Sequence, residues 1–295
     1  MHGREFAPAK VNLTLHVGRV IRDSDRFHGY HPLDSLVVFA NPDRADADDS
    51  GVDGALAGDR LDIGPAERFR LDITGPFAAD LDPDEDNLVT RAYRAAQRLG
   101  ASGPVRITLD KHLPVASGLG GGSADAAAVL RALAGGAPDL DEAALQLGAD
   151  VPACLRSATL RMTGIGEDIR ELPGLGRIWA VLANPGTPVS TAEIFRRFDA
   201  FEPRETPRPQ AAYGALLERA LDGRNDLEPV AVAIEPAIGQ LIERMAVRPG
   251  CELARMSGSG ASVFGLFADE GTARDAATSL AQVVPWAVAC RLGDG

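Results

Sequence analysis

Aromatic residues supply only 5% of this 295-residue chain, so its interior has to be filled mostly by aliphatic side chains. The two tryptophans, Trp179 and Trp286, carry no functional signal by themselves. Cysteine is scarce too. Cys154, Cys251 and Cys290 form no Cys-x-x-Cys pair and no Cys/His cluster, which leaves neither a disulfide framework nor a metal-binding spacing. A sparse, odd count suits a reducing compartment, with all three acting as small buried apolar groups. Basic residues fall short of acidic ones, 30 against 42, for a formal net charge of −12. Non-specific nucleic-acid affinity rests on Lys and Arg neutralising phosphates, so a nucleic-acid partner is not expected. A small anionic ligand can still bind where the local field is positive. Long apolar runs are missing: none approaches the ~20 residues that a membrane span needs, and the N-terminal segment lacks a signal pattern. These absences predict a cytoplasmic protein with no membrane partner.

What remains is an ordinary globular composition, 45% hydrophobic and 24% charged, on a chain longer than one hydrophobic core usually supports. Two domains are expected, residues 1–160 and 161–295. Periodicity predicts strands over 11–17, 36–39, 105–109, 178–182, 261–267 and 286–292. It predicts helices over 87–99, 124–133, 211–221, 234–247 and 272–283. Asp139 and Glu142 are spaced as a capping box opening a further helix, which Gly148 closes. Strands and helices mix without strict alternation, which reads as α+β or mixed α/β layers. The acidic stretch 43–54 reads as a solvated hairpin tip. Asp46, Asp48 and Gly51 follow a calcium loop loosely, but Ala57 stands where that loop needs its bidentate Glu.

The sharpest motif is Pro114-Val115-Ala116-Ser117-Gly118-Leu119-Gly120-Gly121-Gly122-Ser123-Ala124-Asp125, between a strand and an Ala-rich helix. Glycines let a backbone turn its N–H groups toward a ligand, and the helix that follows offers a positive N-terminal end to phosphate. There is no Gly-Lys-Ser/Thr ending, so this is not a Walker A loop. Ser123 replaces the last glycine of a dinucleotide fingerprint, so that match fails as well. A second run, Ser257-Gly258-Ser259-Gly260-Ala261-Ser262, precedes a strand and reads equally as a tight turn or a phosphate contact. Lys10, in Pro8-Ala9-Lys10-Val11-Asn12-Leu13, stands where the chain enters an apolar strand, a place for a fixed charge. Asp150, in Asp150-Val151-Pro152, reads on its own either as a turn residue or as a catalytic carboxylate.

Segments 8–13, 114–125 and 257–264, in this order, resemble the three signature motifs of the GHMP small-molecule kinases. Gly29-Tyr30-His31, residues 118–123, Leu147-Gly148-Ala149-Asp150-Val151-Pro152 and Asn225-Asp226-Leu227-Glu228 narrow the resemblance to the 4-diphosphocytidyl-2-C-methyl-D-erythritol kinases. It runs from residue 8 to about 290. It implies a two-domain α+β fold, with an N-terminal domain of the ribosomal protein S5 domain 2-like type and a ferredoxin-like α/β C-terminal domain. It further implies an ATP-dependent kinase whose acceptor is a small cytidine diphosphate, a monomer or weak homodimer.

By that resemblance Asp150 is the base that takes the acceptor hydroxyl proton, and Lys10 holds it ionised while offsetting phosphoryl charge. Residues 114–124 wrap the triphosphate, and Asn87, Leu88 and Lys111 lie about the adenine pocket. Tyr30 and Phe195 sandwich the cytosine while His31 meets its edge, and Asn12 and Thr191 are polar substrate contacts. Ser257, Gly258, Ser259 and Gly260 return toward the phosphates. Without the resemblance Phe195 reads as the core residue of an amphipathic helix, and Asn87, Leu88 and Lys111 as a helix start and a strand end.

Many relatives carry Ser-Ser where this chain has Gly121-Gly122, which leaves no evident protein ligand for Mg²⁺; the ion is expected to travel with ATP. His28 replaces the Asp that usually precedes Gly-Tyr-His, and the loop 20–28 is longer than usual. Two rivals are a homoserine- or mevalonate-type kinase and a catalytically silent nucleotide-binding protein on the same fold. The cytidine set Tyr30, His31 and Phe195 argues against the first, and retention of Lys10 with Asp150 against the second.

Overall fold

The computed structural model describes residues 3–23, 28–41, 56–84, 86–174, 176, 178–199 and 216–293. The calcium-like stretch, residues 24–27 of loop 20–28 and the start of the helix expected over 211–221 lie outside them. The chain forms two compact units. One comprises Met1–Lys10, Leu56–Val115 and Gly120–Ser157, and the other Val11–Ala55, Ala116–Leu119 and Ala158–Gly295. The last crossing between the units is from Ser157 to Ala158. Residues 11–55 and 116–119 belong with the second unit, although they precede that point.

In chain order the first elements are β1 (Arg4–Pro8), β2 (Lys10–Val17), β3 (Leu33–Asn41), β4 (Gly58–Pro65) and β5 (Arg70–Thr74). Then come α1 (Leu88–Arg98), β6 (Val105–Asp110), α2 (Gly121–Ala134), α3 (Leu140–Leu147) and α4 (Val151–Arg156). The chain continues through β7 (Leu160–Gly164), β8 (Asp168–Glu171), β9 (Ile178–Asn184), α5 (Thr191–Phe198) and α6 (Leu216–Asp222). It ends with α7 (Glu228–Ile234), α8 (Pro236–Ala246), β10 (Cys251–Met256), β11 (Val263–Phe267), α9 (Glu270–Ala281) and β12 (Trp286–Leu292).

The first unit is a four-stranded sheet in the order β1-β4-β6-β5, with β5 parallel to β6 and the other pairs antiparallel. Helix α2 packs against α1, α3, α4, β1 and β4. Ala is the best helix former and leaves its neighbours room to approach, so the run 124–130 can be buried throughout. Asp139 does not act as the capping box predicts: its side chain makes no cap hydrogen bond. Its backbone (φ −99°, ψ 19°) is not in the extended conformation that turns an N-cap side chain onto the first-turn amides.

The second unit carries a sheet in the order β10-β11-β9-β12-β3-β7-β8, with β2 paired to β3. Within it, β9, β10, β11 and β12 are antiparallel and lie in the order β10-β11-β9-β12, with helices between β9 and β10 and α9 between β11 and β12. This is the ferredoxin-like split β-α-β arrangement. Val181, Ile194, Leu227, Leu241 and Leu280 belong to its aliphatic core. The helix expected over 234–247 is α8, which starts at Pro236, and a further short helix, α7, ends just before it at Ile234. A residue before proline is pushed out of the α region, and Glu235 is extended (φ −130°, ψ 92°), its carboxylate capping the amide of Ala237. Cys154 is buried, while Cys251 and Cys290 are partly buried. Burial pushes the Cys290 thiol up to about 12.

Candidate active site

In the first unit β2 begins on Lys10, whose Nζ lies 2.6 Å from Oδ1 of Asp150. The Lys10 side chain is 5% exposed and that of Asp150 is 38% exposed, so the ammonium is sunk and the carboxylate reaches solvent. Asp150 occupies the N-cap position of α4 but makes no side-chain cap bond. Its carboxylate is directed to Lys10 instead, unlike that of an ordinary turn residue. Gly120 caps α2 with φ +66°, and a Cβ there would stand 3.1 Å from Cβ of Lys10. The glycine therefore lets the start of α2 lie directly against the lysine stem. Buried Cys154, one turn beyond Asp150, is raised by burial and then by the Asp150 charge, which keeps it an unreactive thiol.

Lys111 is placed differently from a ligand-facing lysine. It is 2% exposed, with Nζ 2.6 Å from Asp59 and 2.7 Å from Asp125. Asp59 also accepts the amides of His112 and Leu113 at 2.6 and 2.8 Å. A Cβ on Gly121 would stand 3.1 Å from that ammonium, so the triad underlies the first turn of α2. Burial alone would lower Lys111, yet the Asp125 and Asp59 charges outweigh it and hold the lysine up; burial likewise pushes Asp125 well above the carboxylate range. Asn87 caps α1 by accepting from the Val89 amide, and a Cβ on Gly122 would meet Leu88 at 3.2 Å. The loop 114–124 leaves this unit at Ala116 and returns at Gly120.

In the second unit, the Ser257 hydroxyl donates to the carbonyl of Gly118 at 3.0 Å, and the Ser262 amide donates to that of Ser117 at 2.9 Å. The two Gly-rich runs therefore meet here. Gly118 (φ +78°) could carry no side chain, since a Cβ would fall 2.4 Å from the Ser257 carbonyl oxygen. Asn12 donates its amide N–H to Ser257 Oγ at 3.2 Å and its Nδ2–H to Ser35 at 2.7 Å. Its Oδ1 is buried without a partner among the described residues, an acceptor available to a ligand hydroxyl. Thr191 and Ser259 share a hydrogen bond of 2.7 Å.

Tyr30 is 56% exposed. The His31 ring lies 5.3 Å from that of Phe195, tilted 32°, and edge-on to Phe198 at 5.8 Å. Phe195 is partly buried, which fits both readings of it. Both His31 nitrogens are engaged, Nδ1 with the Gly18 carbonyl at 2.9 Å and Nε2 with Asp199 at 3.1 Å. His28 is exposed and bonds the Arg22 carbonyl at 3.1 Å.

Three partners were not read from sequence: Asp59, Ser35 and Asp199, each placed by a fold contact that no local pattern encodes. Asn225-Asp226-Leu227-Glu228 was noticed, but without a role. Asn225 donates to the carbonyls of Met256 and Gly258, Asp226 accepts the Val17 amide, and Glu228 accepts the Met256 amide. The motif ties the start of the second Gly-rich turn to β2.

Residues 87–158 match the GHMP kinases N terminal domain, and residues 211–285 match GHMP kinases C terminal. The chain is 48% identical over 287 residues to a 4-diphosphocytidyl-2-C-methyl-D-erythritol kinase of Cereibacter sphaeroides, covering 95% of each. It is 44% identical to one of Paramagnetospirillum magneticum, covering 96% of this chain and 95% of that one. A crystal structure of a 4-(cytidine 5'-diphospho)-2C-methyl-D-erythritol kinase superposes with a TM-score of 0.76 at 33% identity, over 99% of this chain and all of the other. The chain belongs to the 4-diphosphocytidyl-2-C-methyl-D-erythritol kinases, a branch of the GHMP kinases with their two-domain α+β fold.

Proposed function

We infer that the chain transfers the γ-phosphoryl group of ATP to the 2-hydroxyl of 4-diphosphocytidyl-2-C-methyl-D-erythritol, a step of the methylerythritol phosphate route to isoprenoids. The products are ADP and the 2-phosphate. The observation that carries the mechanism is the 2.6 Å pair of Lys10 and Asp150. Asp150 accepts the hydroxyl proton as oxygen attacks the γ-phosphorus. Lys10 keeps the carboxylate in place and offsets the negative charge on the phosphoryl oxygens. Phosphoryl transfer asks chiefly for positioning and charge stabilisation, so one base and one cation are a sufficient core.

The first turn of α2 and the loop before it offer backbone N–H groups to the triphosphate. Lys111 supports that turn from below, since its ammonium is taken up by Asp59 and Asp125. Mg²⁺ supplies charge neutralisation on the phosphates when ATP binds. Three carboxylates described in this unit, at Asp59, Asp125 and Asp150, are paired with lysines. This supports an ion carried in by the nucleotide. In the second unit, Tyr30 and Phe195 supply aromatic faces for the pyrimidine, and Asn12, Thr191 and the Ser257–Gly260 turn supply polar contacts. Among the described residues no helix is long and apolar enough to cross a membrane.

The test is ADP release with ATP, Mg²⁺ and the cytidylylated acceptor, set beside free 2-C-methylerythritol 4-phosphate. Turnover confined to the cytidylylated acceptor is expected. Equal turnover of both would remove the cytidine assignment.

A further inference from the structure

The place of Asp199 is not what local helix physics favours. It caps the C-terminal end of α5, where the helix dipole favours a cation over a carboxylate. The two arginines of that last turn do not neutralise it through the pairs they form, for Arg196 and Arg197 both bond Glu193. Asp199 is instead held by His31, whose Nε2 lies 3.1 Å from its Oδ1, while the side chain stays 47% exposed. The imidazole is 6% exposed and fixed from behind through Nδ1 and the Gly18 carbonyl. A buried ring thus orients an accessible carboxylate.

That carboxylate also stands one turn beyond Phe195, with the Asp199 amide 3.1 Å from the Phe195 carbonyl. Residues four apart lie on one helix face, about 5–6 Å between Cβ atoms. Asp199 therefore stands on the helix face that carries Phe195, within reach of the edge of a base stacked on that ring.

We propose that Asp199 is a specificity-determining residue that accepts a hydrogen bond from the 4-amino group of cytosine, with His31 as its positioning residue. The proposal rests on the cytidine reading above and deepens it. An ionised carboxylate only accepts hydrogen bonds. Cytosine presents an N4–H donor there, whereas uracil presents the O4 acceptor, which an anionic oxygen repels. One group thus attracts the right base and rejects the wrong one.

The experiment measures kcat/KM of wild type, Asp199→Asn and Asp199→Ala with the cytidylyl acceptor and its uridylyl analogue. Wild type should prefer the cytidylyl form. Asp199→Asn should lower that preference about 10-fold or more, because it removes the charge of the acceptor and adds an N–H that can donate to uracil O4. The change should sit mainly in KM, with kcat at saturating acceptor little changed. Asp199→Ala should lose preference too, and His31→Ala added to Asp199→Asn should lower it no further. A ratio within about twofold of wild type in both Asp199 variants overturns the proposal. So does a loss seen with His31→Ala but not with Asp199→Asn, because the ring would then read the base itself. Should either variant melt early by circular dichroism, calorimetry of wild type with CDP and UDP decides, and equal affinities overturn the assignment. Wild type inactive on the cytidylyl acceptor would instead sink the cytidine reading.

Discussion

Lys10 and Asp150, remote in sequence, meet at 2.6 Å in the first unit, the lysine sunk and the carboxylate open. The pairing sets the carboxylate beside a cation, a contact that the Asp-Val-Pro pattern by itself does not reveal. Asp150→Asn keeps the size of the side chain and removes its basicity. We expect kcat to fall by about 10²–10⁴, the usual contribution of a general base, with the KM for ATP little altered. Steady-state ADP release checks this, and turnover that survives the change removes Asp150 as the base.

Removing the Lys111 ammonium would leave Asp59 and Asp125 buried and facing each other. Breaking a buried ion pair from one side costs about 3–5 kcal/mol, so Lys111→Met should lower the urea midpoint steeply. A midpoint like that of wild type would mean that the triad is not structural.

The same triad predicts a pH dependence. Burial holds the Asp125 value in the folded chain above its ordinary 3.8. A raised acid binds its proton more tightly when folded, so its stabilising effect is complete below 3.8 and is lost as pH rises through the raised value. Asp125→Asn cannot titrate. Its urea midpoint should therefore vary less than that of wild type between about pH 4 and 8, and two parallel curves would refute the assignment.

Asn225 holds the carbonyls of Met256 and Gly258 through one amide group. Asn225→Asp replaces the donor with a repelling oxygen and leaves both carbonyls without this partner, at a cost of about 1–3 kcal/mol each where buried. Hydrogen exchange of the Ser257 and Gly260 amides should quicken first. Unchanged protection there would show that the turn is held by other means.

The glycines of the first Gly-rich run are not equivalent. At Gly118 the backbone is left-handed and an added Cβ meets a carbonyl oxygen at 2.4 Å, whereas at Gly122 it meets only the end of Leu88 at 3.2 Å. Gly118→Ala should destabilise and impair turnover. Gly122→Ala should be tolerated and gain up to about 1 kcal/mol from helix propensity. Thermal melts of the two variants would reverse this order if the loop conformation were wrong.

Local patterns carry a good part of this molecule. Alternation marked the strand from Val11 to Val17, helical spacing marked α1 and α9, and the Gly-rich run marked the turn into α2, because these signals lie within neighbouring residues. Short elements such as β5, β8 and α4 escaped, since a few residues give too little periodicity. The Gly-rich turn at Ser257 showed itself as a turn, but its seat against Gly118 did not.

Sequence by itself determined the residue types available for chemistry and the motifs that place the chain in its family. Tertiary structure alone decided which charges are neighbours. It set Lys10 beside Asp150, took Lys111 out of solvent between Asp59 and Asp125, and turned His31 onto Asp199. The reason is physical: a buried charge is tolerated only beside a partner, and that partner is supplied by whichever strand or helix the fold brings within hydrogen-bond distance, however far along the chain it lies.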